Sequence, residues 1–452
     1  MISLFPRALP ADSRGRKAPL PTVLCVVAAA PFSALATPLS ALLLLALTAG
    51  HAGAQEVPNA RALGIRLTGT PGTYNAITDV VGVEVGHATI IQGDGPLVVG
   101  EGPVRTGVTA ILPRGRTAGD SAFAAWFTLN GNGEMTGTTW VEESGILESP
   151  ILITNTHSVG VVRDAVIDWM RRRDPSFLWA LPVVAETYDG SLNDINGFHV
   201  TPDHVFAALD GARSGPVEQG AVGGGTGMIC HGFKVGIGSA SRVVPVQGRE
   251  YTVGVLVQCN QGARRDLRIA GLPVGELMPE PAPCYADPSV PAELRRPGVP
   301  FCEPRSAAAV SAPEGLADPP PEGAGSIIIV LATDAPLLPT QVKRLVTRTA
   351  LGLARIGGMG YNGSGDIFIG FSTANRRAAA ERNEIVSLEM LPNDGVNPLI
   401  PASVHATEEA ILNAMLAAET LTGINGYTVP ALPHAQLRLI MERADPVWRG
   451  NR

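Results

Sequence analysis

The chain has 452 residues, 45% of them hydrophobic and 17% charged, which is enough for one large domain or two ordinary ones with a sizeable buried core. Its formal net charge is −7 and no run of Lys and Arg follows a folded segment, which argues against nucleic acid as a partner. The 52 glycines are separated by apolar runs, so they read as tight turns and close backbone approaches rather than as disorder.

Residues 1–18 carry Arg7, Arg14, Arg16 and Lys17, with Asp12 as the only acid. Residues 19–54 are almost uncharged, contain SALLLLALTAGHAGA, and end in a small-x-small pattern before Gln55. This is the layout of a secretory signal (residues 1–54) cleaved near Ala54, with an uncleaved membrane anchor as the alternative. No later stretch is long and apolar enough to span a bilayer. The mature chain is therefore expected in the periplasm or outside the cell, with no membrane segment of its own.

Between Arg61 and Gly275, short β-type runs alternate with Gly/Asn/Asp turns and a few helical patterns. ILITN (151–155) reads as a buried strand, and 158–173 as a helix with apolar spacing near 3.6 and arginines at its end. ALPVVAET (180–187) and YTVGVLVQC (251–259) read as strands opening onto the turns Tyr188-Asp189-Gly190 and Asn260-Gln261-Gly262. Residues 277–324 break the pattern: twelve of them are proline and apolar periodicity vanishes, so the segment reads as a flexible surface loop rather than a packed element. It holds Cys284 and Cys302, which an exported protein can pair. Cys230 and Cys259 read as buried small hydrophobes.

Order returns with SIIIVLAT (326–333), the strongest buried-strand signal in the chain. A helix over 339–356 and the strand DIFIGFST (366–373) follow. A helix over 406–422 is expected, with Thr407 as N-cap and Glu408 and Glu409 at its positive end, then a last helix over 434–444. Strands and helices interleave, which points to a layered α/β sandwich.

Several constellations can carry chemistry. Ser326 begins a buried strand directly after the linker. Its hydroxyl can attack the Gly325 carbonyl, and hydrolysis of the resulting ester would free an α-amine of pKa about 7.7–8.0, a base built into its own nucleophile. Gly325 suits this step because it lacks the Cβ that resists a contorted peptide. The plain structural reading is a strand start. Asn362-Gly363-Ser364-Gly365-Asp366 places hydroxyl and carboxylate on one side of an extended segment, as a pair that orients a serine or as a turn capped by Asp. Glu186 and Tyr188 stand at a strand end, where Glu can hold an ammonium and Tyr can donate to an oxyanion. Asn260 can supply a further amide donor.

Other arrangements remain open but lack support. Ser/His/Asp catalysis would need His157, His199, His204 or His231, yet no GxSxG elbow is present. His199, Asp203 and His204 lie in HVTPDH, where Pro202 spoils a helical HxxxH metal geometry, and no CxxC-type spacing occurs. The run Gly223–Gly227 lacks the Lys-Ser/Thr of a phosphate loop and reads as a tight bend. No metal and no cofactor is expected.

The segments RALGIRLTGTPGTYNAITDVVGVEVGH, GPVRTGVTAILPRG, GGGTGMIC, GSIIIVLATDAPLLP and NGSGDIFIGFSTAN resemble the DmpA family of L-aminopeptidase/D-esterases and β-peptidyl aminopeptidases, over roughly 60–445. The resemblance implies an αββα sandwich that looks like N-terminal-nucleophile hydrolases but is connected differently. It implies cleavage before Ser326 into chains of about 55–325 and 326–452 of a single domain, and tetramers of such heterodimers. It also implies Ser364 and Asp366 as supporting serine and acid, Tyr188 and Asn260 as oxyanion donors, and Glu186 as the holder of the substrate amine. The activity implied is a serine aminopeptidase, amidase or esterase acting on small peptides with L-, D- or β-amino N-termini. Acyl transfer of the ornithine-acetyltransferase kind, where threonine replaces the serine, and a non-catalytic periplasmic binding protein are the rival readings. The 277–324 segment is longer than the resemblance leads one to expect.

Overall fold

The run Ile327–Ala332 contains no polar residue, and such a strand is stable only with both faces covered. The computed structural model describes residues 59–116, 121–302, 325–376 and 385–444, all within the unit Glu56–Arg452; the expected signal segment and residues 303–324 lie outside them. Its two large sheets use β1 (Glu84–Gln92), β2 (Val104–Leu112), β3 (Ala122–Gly131), β4 (Ile146–Leu147), β5 (Ile151–Asn155), β6 (Val183–Thr187), β7 (Ile237–Val246), β8 (Arg249–Asn260), β9 (Gly325–Thr333) and β10 (Ser364–Ser372). The four-stranded sheet runs β1-β2-β5-β6 and the six-stranded sheet β4-β3-β10-β9-β8-β7, so the apolar β9 is central, as its composition demands.

The alternation of β9 shows what covers each face. Ile327, Ile329 and Leu331 join a core with Val342, Leu345 and Val346 of α3 (Pro339–Arg355) and Ala410, Ile411 and Leu412 of α4 (Leu399–Ala417). Ile328, Val330 and Ala332 join a second core with Ile111, Ile151, Ile153 and Val183 of the other sheet. The outer face of that sheet, through Val108, Leu152 and Val184, packs on Val162 and Val166 of α1 (Val159–Arg173) and Val205 and Leu209 of α2 (Pro202–Asp210). The layers are therefore helix, sheet, sheet, helix, as expected. Each fully buried large side chain in these cores contributes roughly 1.5–3 kcal/mol. The parallel pairs β5–β6 and β9–β10 are each joined through a helix, α1 and α3, because parallel neighbours need a long crossover.

Two expectations need correction. The helix expected over 406–422 starts at Leu399 and ends at Ala417. Thr407 does not cap it; its hydroxyl bonds the Ser403 carbonyl. Pro398 and Pro401 masked the true start, although proline is tolerated in a first turn, where amides lack partners anyway. Glu408 and Glu409 are mid-helix and buried: Glu408 pairs with Arg355, and Glu409 with Arg61 and Arg242. The second correction concerns 277–302, which is packed rather than free. Cys284–Tyr285 pairs with Tyr427–Val429, which pairs with Leu421–Thr422, over a small core of Leu192, Tyr285, Val290, Tyr427 and Val429. A Cys284–Cys302 disulfide closes this piece.

Candidate active site

Ser326 is the second residue of β9 and is only 4% exposed. Strand alternation sets its side chain on the inter-sheet face, with Ile328 and Val330. Its Oγ is buried without a hydrogen-bond partner among the described residues, an arrangement that costs about 1–3 kcal/mol and calls for a functional explanation. On one side the antiparallel register sets Ser326 opposite Asn260 of β8; on the other the parallel register sets Gly325 opposite Ser364 and Ser326 opposite Gly365 of β10. The edges are tight. A Cβ on Gly325 would fall 2.9 Å from both the Asn260 carbonyl oxygen and Gln261 Cα. A Cβ on Gly365 would collide with the Asn132 carbonyl.

Ser364 Oγ donates to Asp366 Oδ1 at 2.6 Å, so the expected hydroxyl–carboxylate pair exists. Both residues are buried. Burial raises the Asp366 pKa, and the bond from Ser364 opposes that shift. The pair alternates onto the opposite face from Gly365, beside Ile327 and Phe368, so it flanks the Gly325–Ser326 peptide link rather than the Ser326 hydroxyl.

Glu186 is the penultimate residue of β6 in the other sheet and is 4% exposed. Its Oε1 accepts the Glu134 N–H at 3.0 Å and its Oε2 the Thr156 hydroxyl at 2.5 Å. Burial raises its pKa; the bonds from Thr156 and Glu134 lower it, Glu134 raises it by charge, and His157 lowers it slightly. A Cβ on Gly133 would lie 3.2 Å from Glu186 Oε1 and 3.3 Å from Gly365 Cα. Only that glycine separates the carboxylate from the strand beside Ser326.

Asn260 is fixed at both ends: Oδ1 accepts the Ile229 N–H at 2.9 Å and Nδ2 donates to the Tyr188 carbonyl at 2.8 Å. An amide nitrogen has two hydrogens, so one is left to give. Tyr188 is 49% exposed and enters this network through its backbone. Its phenol folds over Gly190, where an added Cβ would collide with the hydroxyl oxygen. Ser326, Asn260, Ser364, Asp366 and Glu186 thus converge on one end of the sheets, with the Tyr188 ring at the rim. Sequence reading missed Gly133, Glu134 and Thr156. Only the polar Asn155-Thr156-His157 at the end of the apolar β5 hinted at Thr156, because in a parallel pair β5 ends level with β6.

None of the four candidate histidines bonds the Ser326 hydroxyl. His157 stacks on Phe198, His199 pairs with Asp194 at 2.8 Å, and His204 Nδ1 bonds Thr201. His231 is fully buried against the Ala263 carbonyl, and burial lowers its pKa to about 4. Gly223–Gly225 is a buried helical turn wedged between the sheets, where a Cβ on Gly224 would fall 2.6 Å from the Ile153 carbonyl oxygen. Cys230 and Cys259 are free and buried, as expected.

The sequence profile of peptidase family S58 matches residues 75–429. The chain is 53% identical over 397 residues to the β-peptidyl aminopeptidase BapA of Sphingosinicella microcystinivorans, covering 88% of this chain and 95% of the relative. It is 44% identical over 406 residues to the β-peptidyl aminopeptidase BapA of Sphingosinicella xenopeptidilytica, covering 89% and 94%. Among solved structures, the L-aminopeptidase D-Ala-esterase/amidase of Ochrobactrum anthropi, described as a variant of the Ntn hydrolase fold, superposes with a TM-score of 0.72 at 44% identity, covering 85% of this chain and 98% of that one. A β-aminopeptidase of Burkholderia sp. superposes with a TM-score of 0.71 at 42% identity, covering 86% and 99%.

Proposed function

The chain belongs to peptidase family S58, and from that premise we propose that it is a self-processing aminopeptidase whose nucleophile is Ser326. The observation that carries this reading is the buried, unbonded Ser326 Oγ at a strand start, with Asn260 opposite it on β8 and the Ser364–Asp366 pair of β10 flanking the peptide link that precedes it. In the uncut chain, Ser326 Oγ attacks the Gly325 carbonyl carbon and the Gly325–Ser326 C–N bond breaks as the nitrogen takes a proton. Water then hydrolyses the Gly325 ester, freeing the hydroxyl beside the α-amine already formed and leaving Gly325 with a carboxylate. In the processed enzyme that amine takes the proton from Oγ as it attacks the acyl carbon of a substrate's N-terminal residue. The free N–H of Asn260 stabilises the oxyanion, and the Tyr188 phenol swings from Gly190 to join it. Ser364 and Asp366, level with the nitrogen, hold the amine in place. Glu186 binds the substrate ammonium, which limits attack to terminal residues. Water releases the acyl group and restores Ser326.

The substrates proposed are small peptides, amides or esters with a free N-terminal amine, β-amino residues among them, since two relatives are β-peptidyl aminopeptidases. Export is part of the proposal, supported by residues 1–54 and by the Cys284–Cys302 disulfide, which persists in oxidising compartments. So is assembly into an oligomer of processed heterodimers, checked by native mass. Neither acetyl transfer nor binding without catalysis gains an observation, since serine stands at 326 and the proposed catalytic set is complete.

Denaturing electrophoresis tests the core of this reading. Two chains are expected from the wild type and one full-length chain from Ser326→Ala. Identical patterns would sink it. A p-nitroanilide panel of L-Ala, D-Ala and β-homo-amino acids then ranks the substrates.

A further inference from the structure

The peptide group that gives its N–H to Asn260 Oδ1 joins Met228 to Ile229. Its carbonyl oxygen, on Met228, accepts Lys234 Nζ at 2.9 Å and the Val235 N–H at 3.3 Å. Lys234 Nζ also donates to the Val235 carbonyl. A tight hairpin creates this arrangement. Ile229–Cys230 pairs with Phe233–Lys234, with Ile229 directly opposite Lys234. The connecting His231 and Gly232 have φ of 49° and 69°, as a two-residue turn of this hand requires.

Lys234 is wholly buried, and burial pushes its pKa down to about 7. A buried ammonium without a carboxylate destabilises a fold, and an apolar side chain of similar volume would serve packing better. Its position instead starts a chain of polarisable groups: ammonium to Met228 carbonyl, Ile229 N–H to Asn260 Oδ1, Asn260 Nδ2–H to the oxyanion. Hydrogen bonds in such chains strengthen one another, and a bond from a charged donor is about twice as strong as a neutral one.

Resting on the reading of Asn260 as oxyanion donor, we propose that Lys234 is a positioning residue for the reaction, acting through the Met228–Ile229 peptide to orient and polarise the Asn260 side-chain amide. It touches no reacting atom. Its contribution appears when charge develops on the substrate oxygen, hence in kcat rather than KM.

The test is a double-mutant cycle on processed enzyme, with Lys234→Gln, Asn260→Ala and the pair, normalised to cleaved chain by mass. Loss of an oxyanion donor lowers kcat about 10²–10³-fold, so Asn260→Ala should fall in that range. Lys234→Gln keeps the hydrogen bond but not the charge, and should lower kcat about 3- to 10-fold with KM nearly constant, in keeping with partial weakening along the chain. In the Asn260→Ala background the same substitution should have no further effect. An unchanged kcat in Lys234→Gln, or an equal loss in both backgrounds, overturns the proposal. An Asn260→Ala enzyme with undiminished kcat overturns the reading of Asn260 and this inference with it. Should Lys234→Gln fail to fold, the wild type and Asn260→Ala still decide. The ratio of their kcat values cancels titrations they share, and should fall as pH rises through about 7 and Lys234 loses its charge. A flat ratio refutes the relay.

Discussion

Glu186 offers the sharpest test of substrate selection. Its carboxylate is buried, already accepts two hydrogen bonds, and faces no Lys or Arg among the charges that act on it. A substrate ammonium would be its first full counter-charge. At about 4 Å and an effective dielectric of about 20, the Coulomb attraction is about 4 kcal/mol before the ammonium's desolvation is subtracted. A hydrogen bond to a charged group contributes about 1.5–3 kcal/mol net, so a loss of about 2–3 kcal/mol is expected on Glu186→Gln. That is about 30- to 160-fold in kcat/KM. Gln is the right probe because it keeps the local bonds: its oxygen accepts the Glu134 N–H and its amide donates to the Thr156 hydroxyl. The assay compares an aminoacyl p-nitroanilide with its N-acetyl derivative, which carries no ammonium. The wild type should prefer the free amine strongly, and the variant should lose most of that preference while treating the acetylated substrate like the wild type. Burial raises the Glu186 pKa, so ionisation persists only above that raised value. Glu186 should therefore add to the acid limb of wild-type kcat/KM, beside the limb set by the Ser326 amine, a titration above the ordinary glutamate value, and only that added titration should vanish in Glu186→Gln. A variant within about threefold of wild type on the free amine, less than a 1 kcal/mol effect, would refute the assignment.

Gly325→Ala puts a Cβ 2.9 Å from two backbone atoms of Asn260 and Gln261; since a displacement near 1 Å can cost about 10²-fold, self-cleavage timed by electrophoresis should slow at least tenfold, with kcat of the processed fraction unchanged. Unaltered processing would show that the contact does not set the scissile geometry. Asp366→Asn should lower kcat yet raise the melting temperature at neutral pH. The folded pKa of Asp366 is raised above its unfolded value, so its stabilising contribution is present below the unfolded pKa and lost as pH rises through the folded one; the gain should shrink toward acid pH, and a lower neutral melting temperature would contradict this. Glu409→Ala strands Arg242, whose side chain is 2% exposed and bonds Glu409 at 2.7 Å. Guanidinium melts should show a loss of about 3–5 kcal/mol; a loss below about 1 kcal/mol would mean water or relaxation rescues the arginine.

Where a segment's structure depends on its own pattern, the sequence was legible. Ile327–Ala332 could only be a strand covered on both faces, and ILITN (151–155) matches its strand residue for residue. The serine and the acid of Asn362–Asp366 also announced a hydroxyl–carboxylate pair, which the structure holds at 2.6 Å. What could not be read depends on residues far apart. Glu409 looked like an acid favouring a helix start because its partner Arg61 is 348 residues away. The stretch 277–302 looked unpacked because its one strand, Cys284–Tyr285, pairs with residues 427–428. The Glu134 partner of Glu186 was invisible because a backbone N–H carries no sequence signal, and Lys234 passed unnoticed because a lone lysine in a hairpin reads as solvent-exposed.

The faces of β9 and β10 divide the work of the site in a way the motifs alone did not suggest. The Ser326 hydroxyl belongs to the inter-sheet face, toward Gly133 and Glu186, whereas Ser364 and Asp366 belong to the other face, level with the peptide link that precedes Ser326. On the proposed mechanism the pair therefore serves the nitrogen in both reactions. Before cleavage that nitrogen is an amide with no basic lone pair, and it must gain a proton to leave; a carboxyl whose pKa is raised by burial is suited to supply one through Ser364. After cleavage the same nitrogen is an amine, and the same two side chains hold it where its lone pair reaches Oγ. The nitrogen lies between the two faces, so it alone can pass protons from one to the other. On this mechanism the chain has to be cut before Ser326 can turn over peptides: cleavage would convert the one atom that connects the nucleophile to the acid pair from a structural amide into a base.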